Sequence, residues 1–291
     1  MSRETARIAA PIAGDQLYNQ RARVALPLLV RQAEAGKPIT YSDLAEELGM
    51  PNPRNLNYPL GSIGSTLESL SALWAEKIPP IQCLVFNKNT GLPGEGINFF
   101  LREWGDFKSL PRRRQKEVVA GAHALIYAYP RWEAVLEVLP LPSAAPNFAT
   151  VVSEASRDRG GGGESDEHRI LKEYVAKNPQ CIGLPSSVSA GSNEVSLPSG
   201  DCLDVSFRAS DEWVAAEVKS ALSNAADVVR GMFQCVKYRA VMEAVQAAEG
   251  RAREARAVLV LEGPFAQELI PLRNVLGIEV FENISPKSSR G

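Results

Sequence analysis

Helical spacing of apolar residues dominates the first half of the chain. It predicts helices over residues 17–35, 40–49, 61–75, 111–127 and 131–139. Thr40, with Asp43 three residues later, forms a capping-box pattern at the start of the second helix, and Gly49 suits its end. Between the third and fourth helices, residues 81–97 indicate a strand, a glycine-rich turn and a short second strand. Three helices followed by a hairpin predict a winged helix-turn-helix.

The pattern changes in the second half, where short apolar strands alternate with helices. Helices are expected over 165–178 and 224–249, with a shorter one before the last strand. Strands are predicted at 186–197, 202–209, 213–220, 255–263 and 277–282. Strands on both sides of a crossover helix imply a mixed sheet with helices packed on it. The expected fold class is therefore α/β (α+β), with an N-terminal winged helix-turn-helix and a C-terminal mixed sheet flanked by helices.

A change in composition marks the domain boundary. Residues 141–163 are rich in Pro, Ser and Gly and end in four consecutive glycines, which favours a flexible linker. We expect a winged-helix domain with extra helices over 1–140, a second domain over 164–283 and a disordered tail over 284–291.

The composition is that of an ordinary soluble protein of 291 residues, with 45% hydrophobic and 23% charged residues. No apolar run approaches the roughly 18 residues needed to cross a bilayer, and the N-terminus lacks the order of a secretory signal. The four cysteines form no CxxC pair. We therefore expect a cytoplasmic protein with reduced thiols, without a disulfide framework or a zinc site.

The formal net charge of −2 excludes a polycationic nucleic-acid binder. Contact with nucleic acid would depend on local patches, the strongest being Arg112, Arg113 and Arg114 followed by Lys116. Such a cluster is also compatible with a solvated helix face. With only two histidines in the chain, a histidine-rich metal site is not expected.

One predicted strand carries two charges within an apolar run. Its sequence is WVAAEVKS, and Glu217 and Lys219 lie two positions apart, on the same face of the strand. A carboxylate and an ammonium beside Val218 are costly to bury unless something uses them.

A third charge is expected near this pair. Asp204 lies in the middle of the preceding apolar strand, and an antiparallel pairing would bring it close to Glu217. Its neighbours Leu203 and Val205 are predicted to share the opposite face of that strand.

Two helices are expected to add further groups. Glu167 is at helical spacing with Ile170, Leu171 and Tyr174, which predicts a core-facing position. Gln234 and Tyr238 are four residues apart and share a helix face. His168, next to Glu167, is expected to point away as a surface or packing residue.

Three carboxylates and a lysine at a sheet edge suit a hard divalent cation, which prefers oxygen ligands. Such a cation lowers the pKa of its bound water, and the lysine can offset charge on a phosphate. Each residue also has a structural interpretation. Glu217 and Lys219 alone would form an ion pair, Asp204 could bond a turn, and Glu167 could complement a helix dipole, as Asp166 or Glu164 would. Gln234 and Tyr238 could be residues at the edge of the core.

The ordered set of these residues resembles the PD-(D/E)xK nuclease superfamily, over about residues 163–283. The pattern is a helix Glu, a strand Asp and a following (Asp/Glu)-x-Lys, matched by Glu167, Asp204, and Glu217 with Lys219. Gln234 and Tyr238 resemble the Gln-x-x-x-Tyr motif of the RecB-like branch. Leu203 stands where the pattern has a proline. The resemblance implies a restriction-endonuclease-like fold.

Residues 16–100 resemble the DNA-binding domain of alkyltransferase-like proteins. That family places Pro-Cys-His-Arg before a strand and a glycine-rich turn. Here Ile81 stands at the nucleophile position and Gln82 replaces the histidine, so alkyl transfer is not implied. The resemblance implies a winged helix that grips DNA. The expected DNA contacts are Arg54 before the third helix, Lys88 at the wing tip, and Arg112, Arg113 and Arg114.

Together these features predict a metal-dependent DNA endonuclease. The resemblance implies that Glu167, Asp204 and Glu217 hold Mg²⁺, with Mn²⁺ as a substitute. Lys219 would assist the attacking water and the scissile phosphate, and Gln234 and Tyr238 would position the substrate or brace the lysine. Restriction, phage defence and repair all remain open.

Several features of such a nuclease stay open. One site cuts one strand, so double-strand cleavage would require a homodimer, and an activating ligand or protein would leave no trace in the sequence. The alternatives are a non-catalytic DNA-binding regulator with a degenerate nuclease fold used for dimerisation or sensing, and a protein-interaction adaptor.

Overall fold

The computed structural model describes residues 10–101, 105–144, 165–209, 212–251 and 254–286, with isolated positions between 148 and 155. The chain divides into two compact units, Met1–Pro146 and Asn147–Gly291. The predicted linker over 141–163 and the end of the predicted tail over 284–291 lie largely outside the described residues. None of the described helices has the length and apolar character needed to cross a membrane.

The first unit is built from helices close to the predicted ones. They are α1 (Leu17–Glu34), α2 (Tyr41–Glu47), α3 (Asn57–Trp74), α4 (Arg112–Ala128) and α5 (Trp132–Val138). Thr40 caps α2 as expected, since its hydroxyl accepts a hydrogen bond from the amide of Asp43 at 3.0 Å. Fully buried leucines and isoleucines from α1, α2, α3 and α4 form one core, among them Leu26, Leu44, Ile63 and Ile126.

The predicted wing is reduced to a turn. Strand β1 (Ile39–Thr40) pairs in parallel with β2 (Val85–Phe86), and the amide of Asn87 donates to the carbonyl of Leu92 at 2.9 Å. The second strand expected before residue 97 is wrong, because this segment continues into the 3₁₀ helix Glu95–Phe99. Pro93 lacks a ladder donor and glycines follow it, which disfavours a strand there.

The second unit contains a five-stranded mixed sheet, which confirms the α+β prediction at this level. Its strands, in spatial order, are β3 (Ser192–Ser196), β4 (Cys202–Ala209), β5 (Glu212–Lys219), β6 (Ala255–Leu261) and β7 (Glu279–Phe281). The pairs β3–β4 and β4–β5 are antiparallel, whereas β5, β6 and β7 run parallel. Helices α6 (Asp166–Lys177), α7 (Ala225–Ala248) and α8 (Ile270–Leu276) belong to the same unit.

Helices α6 and α7 cover opposite faces of this sheet. Leu171 of α6 packs in a cluster with Val214 of β5, whereas Met232 of α7 packs in a second cluster with Ala215. Adjacent residues of a strand point to opposite faces, so the two clusters lie on either side of the sheet. The start of α7 is fixed by a capping box between Asn224 and Asp227, whose side chains each accept from the other residue's amide.

Candidate active site

The pair predicted at the end of β5 is an ion pair. Nζ of Lys219 lies 2.6 Å from Oε1 of Glu217, and the two side chains are 15% and 3% exposed. Oε2 of Glu217 is buried and has no hydrogen-bond partner among the described residues. Burial and the charge of Asp204 raise the pKa of Glu217 to about 7, although Lys219 and the hydroxyl of Tyr238 oppose the shift. The buried carboxylate is therefore only partly satisfied by its lysine.

Asp204 of β4 joins this pair from the neighbouring strand. The β4–β5 ladder pairs Val205 with Ala216, and Oδ2 of Asp204, one residue earlier, accepts from the amide of Val218 at 2.8 Å. Burial alone would raise the pKa of Asp204, but a nearby imidazole, this amide and the Lys219 ammonium hold it below its ordinary value. The expected approach of Asp204 to Glu217 is confirmed.

Strand β4 is irregular at Asp204. Leu203 and Val205, its two neighbours, belong to apolar clusters on opposite faces of the sheet. A regular strand would place both on one face. The prediction that they share a face is therefore wrong, while the carboxylate of Asp204 reaches the backbone near the C-terminal end of β5.

Helix α7 covers the ion pair closely because residue 231 is a glycine. A Cβ added to Gly231 would lie 2.8 Å from Cδ1 of Leu259 and 3.0 Å from Cε of Lys219. One turn further along α7, Nε2 of Gln234 donates to the hydroxyl of Tyr238 at 3.2 Å, and that hydroxyl donates to the carbonyl of Cys202 at 3.0 Å. The two residues share a face, as predicted, and they brace the end of β4 beside the acids.

Glu167 does not have the core-facing position predicted for it. Its side chain is exposed on the first turn of α6, and Ile170 of the predicted stripe is 47% exposed. The inward face of α6 instead carries His168, Leu171 and Lys172. The helix is thus rotated by about one residue, or roughly 100°, from the predicted orientation.

His168 occupies the place expected for Glu167. Its Nε2 atom lies 3.7 Å from Oδ2 of Asp204, a contact at ion-pair distance and longer than a hydrogen bond. His168 does point away from Glu167, as predicted, but because Glu167 faces solvent it is His168 that approaches Asp204. The core-facing position predicted for Glu167 depends on Ile170 and Tyr174, whose spacing indicates a different buried face when the helix is considered alone.

Two residues that the sequence pattern does not single out, Lys172 and Glu194, also lie at the site. Lys172, one turn after His168, is buried, and its Nζ lies 2.8 Å from Oε1 of Glu194 on β3. Glu194 stands between the ladder pairs Asn193–Val205 and Val195–Leu203, which places it opposite Asp204. The inward face of α6 is indicated in the sequence only by helical spacing, which places His168, Leu171, Lys172 and Val175 on one side of the helix.

The donor set permits a cation held by two carboxylates. No three His, Cys, Asp or Glu side chains converge to hold a metal ion in the described part of the chain. Mg²⁺ is commonly held by only one or two carboxylates and otherwise by water and phosphate oxygens. Asp204 and Glu217 meet this requirement, since the buried Oε2 of Glu217 lacks a hydrogen-bond partner among the described residues. Glu167 is not brought into this group.

The basic residues predicted to contact DNA lie on the surface of the first unit. Arg112, Arg113 and Arg114 are exposed on the first turn of α4. Nη2 of Arg112 donates to the carbonyl of Thr90 at 3.0 Å, in the turn that also carries Lys88. Arg113 and Arg114 pair with Glu117 and hold its pKa below the ordinary value. The three arginines therefore form one exposed patch that Glu117 partly neutralises.

Arg54 and Lys88 border a cavity of about 790 Å³ in the same unit. Its lining includes Gln82, whose buried carboxamide has no hydrogen-bond partner among the described residues. Cys83, beside it, is buried, and desolvation raises the pKa of its thiol to about 12. Nε2 of His123 is 3.0 Å from the carbonyl of Cys83, so the ring contacts the backbone. This environment does not activate a thiolate.

Comparisons of the chain with protein-family profiles, with characterised proteins and with solved structures give no match.

Proposed function

We propose that the chain is a metal-dependent DNA nuclease whose second unit is restriction-endonuclease-like and carries the active site. The single observation that supports this most strongly is the cluster of the buried Glu217 with the half-buried Asp204 and Lys219. A carboxylate with a raised pKa and an unpartnered oxygen among the described residues, beside a second acid and a lysine, is costly for stability alone. Perturbed groups of this kind are concentrated at functional sites.

Each residue of the candidate active site has a defined role in this proposal. Asp204 and Glu217 would hold Mg²⁺ or Mn²⁺, which supplies Lewis-acid stabilisation and a more acidic bound water when present. Lys219 places a positive charge where a scissile phosphate gains negative charge. Gln234 and Tyr238 hold the end of β4, and His168 holds the carboxylate of Asp204.

The first unit would dock the DNA as a winged-helix domain with a reduced wing. This role is supported by the exposed patch of Arg112, Arg113 and Arg114. Through its hydrogen bond to the carbonyl of Thr90, Arg112 brings the patch next to the turn that carries Lys88. Arg54 and Lys88, which line the same cavity, add two further basic residues to this unit. Phosphate contacts of this kind position a protein on DNA without reading its sequence.

A cleavage assay tests the proposal. Supercoiled plasmid and single-stranded DNA are incubated with the full chain and Mg²⁺, Mn²⁺ or EDTA. We expect cleavage that requires the metal and that falls at least about 100-fold in Lys219→Ala, by analogy with the loss of one charge-stabilising group elsewhere. Absence of metal-dependent cleavage by the wild-type chain would contradict the proposal.

One observation favours a second candidate, a DNA-binding regulator with a degenerate nuclease fold. Lys219 occupies Oε1 of Glu217, and no third ligand joins the two acids among the described residues. If the chain is a regulator, the wild-type protein and the Lys219→Ala variant bind DNA equally well and neither cleaves it. An adaptor would neither bind nor cleave, so the same two proteins separate all three functions.

A further inference from the structure

The ion pair between Lys172 and Glu194 belongs to the same cluster as the candidate active site. Lys172 is one turn after His168, which contacts Asp204. Glu194, the partner of Lys172, stands opposite Asp204 in the β3–β4 ladder. The pair therefore lies beside Asp204, one of the two acids that we propose as metal ligands.

The two partners differ in their access to solvent. The side chain of Lys172 is 6% exposed, whereas that of Glu194 is 64% exposed. A buried ammonium is stabilised by a negative partner, and Glu194 is one that reaches in from solvent. Such a carboxylate can leave without being desolvated, provided that another anion takes its place.

The backbone of Glu194 is strained. Its φ angle is +54°, in the left-handed region that non-glycine residues rarely adopt. The strain falls on the residue opposite Asp204, where the β3–β4 ladder lacks a pair. Lys172 thus holds an acid at a strained position of β3.

We propose that Lys172 is a phosphate-contacting residue of the active site and that Glu194 occupies it until DNA arrives. A backbone phosphate would replace the carboxylate on Nζ of Lys172, and Glu194 would turn to solvent. No covalent bond changes in this exchange. The inference rests on the proposed nuclease function and adds to it a second lysine and an internal competitor of the substrate.

The test measures binding of a short labelled DNA duplex to the full chain, with Ca²⁺ replacing Mg²⁺ to allow binding without cleavage. Glu194→Gln keeps an acceptor for Lys172 but removes the competing charge. We expect its Kd to fall about three- to tenfold, the range of the net contribution of one typical hydrogen bond. Lys172→Met should raise Kd about tenfold and reduce the slope of log Kd against log salt by about 0.9, the value for one phosphate contact.

Matched controls lie on the same helix. Glu173 and Lys177 form an ion pair at 3.7 Å on the exposed side of α6. Glu173→Gln and Lys177→Met carry the same charge changes and should alter Kd less than about twofold, as expected of a surface pair. They separate a local phosphate contact from a change in net charge.

The outcomes are distinct. A pair that only fastens β3 to α6 would lower the melting temperature in Glu194→Gln without tightening DNA binding, and that result would overturn the inference. If the wild-type chain cleaves DNA but Glu194→Gln binds it with an unchanged Kd, the nuclease function is retained and the proposed role of Lys172 is rejected. A wild-type chain that neither binds nor cleaves DNA would remove both.

Discussion

Nε2 of His168 lies 3.7 Å from Oδ2 of Asp204, whereas Glu167, the adjacent residue, has its side chain in solvent. The helix residue that approaches the acids is therefore a histidine one position after the glutamate that the sequence pattern selects. The contact stabilises the ionised form of Asp204 and contributes to the depressed pKa of that carboxyl.

This arrangement makes a direct prediction for two neighbouring substitutions. His168→Ala removes the contact with Asp204 and should lower kcat/KM for DNA cleavage about 10- to 100-fold, as for other residues that orient a metal ligand. Glu167→Gln removes an exposed charge and should change kcat/KM less than about twofold. Cleavage rates of the two variants, measured side by side, decide the assignment. A large loss in Glu167→Gln with a normal His168→Ala enzyme would restore the sequence-based choice.

The raised pKa of Glu217 makes stability depend on pH in a defined direction. Its pKa is about 7 in the folded chain against 4.5 ordinarily, so the unfolded chain loses this proton first as pH rises. The free energy of unfolding should therefore fall between about pH 4.5 and pH 7, by up to about 3 kcal/mol. The lowered pKa of Asp204 acts in the opposite sense, at more acidic pH outside this window.

Glu217→Gln removes the titrating group and serves as the comparison. Urea unfolding of both proteins in EDTA, at about pH 5 and about pH 7, measures the effect. We expect the wild-type chain to lose more stability over this interval than the variant. Parallel pH profiles would show that Glu217 titrates at its ordinary pKa.

The four cysteines should differ sharply in reactivity. Cys83 and Cys235 are buried and Cys181 is half-buried, whereas Cys202 is exposed. Burial raises the pKa of Cys83 to about 12, which suppresses the thiolate. Iodoacetamide should therefore label Cys202 at least about tenfold faster than Cys83 in the native chain, as mass spectrometry can show. Preferential labelling of Cys83, or its alkylation by alkylguanine DNA, would indicate an activated thiol and contradict this structure.

The arginine patch of the first unit makes a prediction about salt. Replacing Arg112, Arg113 and Arg114 by alanine should weaken DNA binding and reduce the slope of log Kd against log salt by about 1 to 3, according to the number of phosphates contacted. A change of about 1 is expected if Arg113 and Arg114 remain paired with Glu117 when DNA binds. Binding titrations over a range of salt give the slope. A slope equal to that of the wild-type chain would remove the patch from the interface.

Much of the fold follows from local patterns in the sequence. The apolar run of β5 and the capping residues Thr40 and Asn224 fix elements through near neighbours, and the observed bounds agree with the predicted ones within a residue or two. The 3₁₀ helix found where a second strand was predicted does not follow from the strand pattern, which gives too little weight to Pro93 and the glycines after it.

The site is predictable only in part, for a physical reason. Glu217, Lys219 and Asp204 belong to paired strands in which side chains alternate between faces, so their convergence follows from the register. The orientation of α6 does not follow, because Ile170 is exposed and Lys172 is buried against Glu194, 22 positions away in the chain. Tertiary pairing of this kind overrides the apolar stripe of an isolated helix.

The central claim is that Asp204 and Glu217 hold a divalent cation beside Lys219. Anomalous diffraction from crystals of the full chain soaked with Mn²⁺ tests it most directly. We expect a manganese peak within coordination distance of a carboxylate oxygen of both residues, and no such peak in crystals of Asp204→Asn. Crystals that take up Mn²⁺ elsewhere, with Glu217 still paired only to Lys219, would contradict the claim.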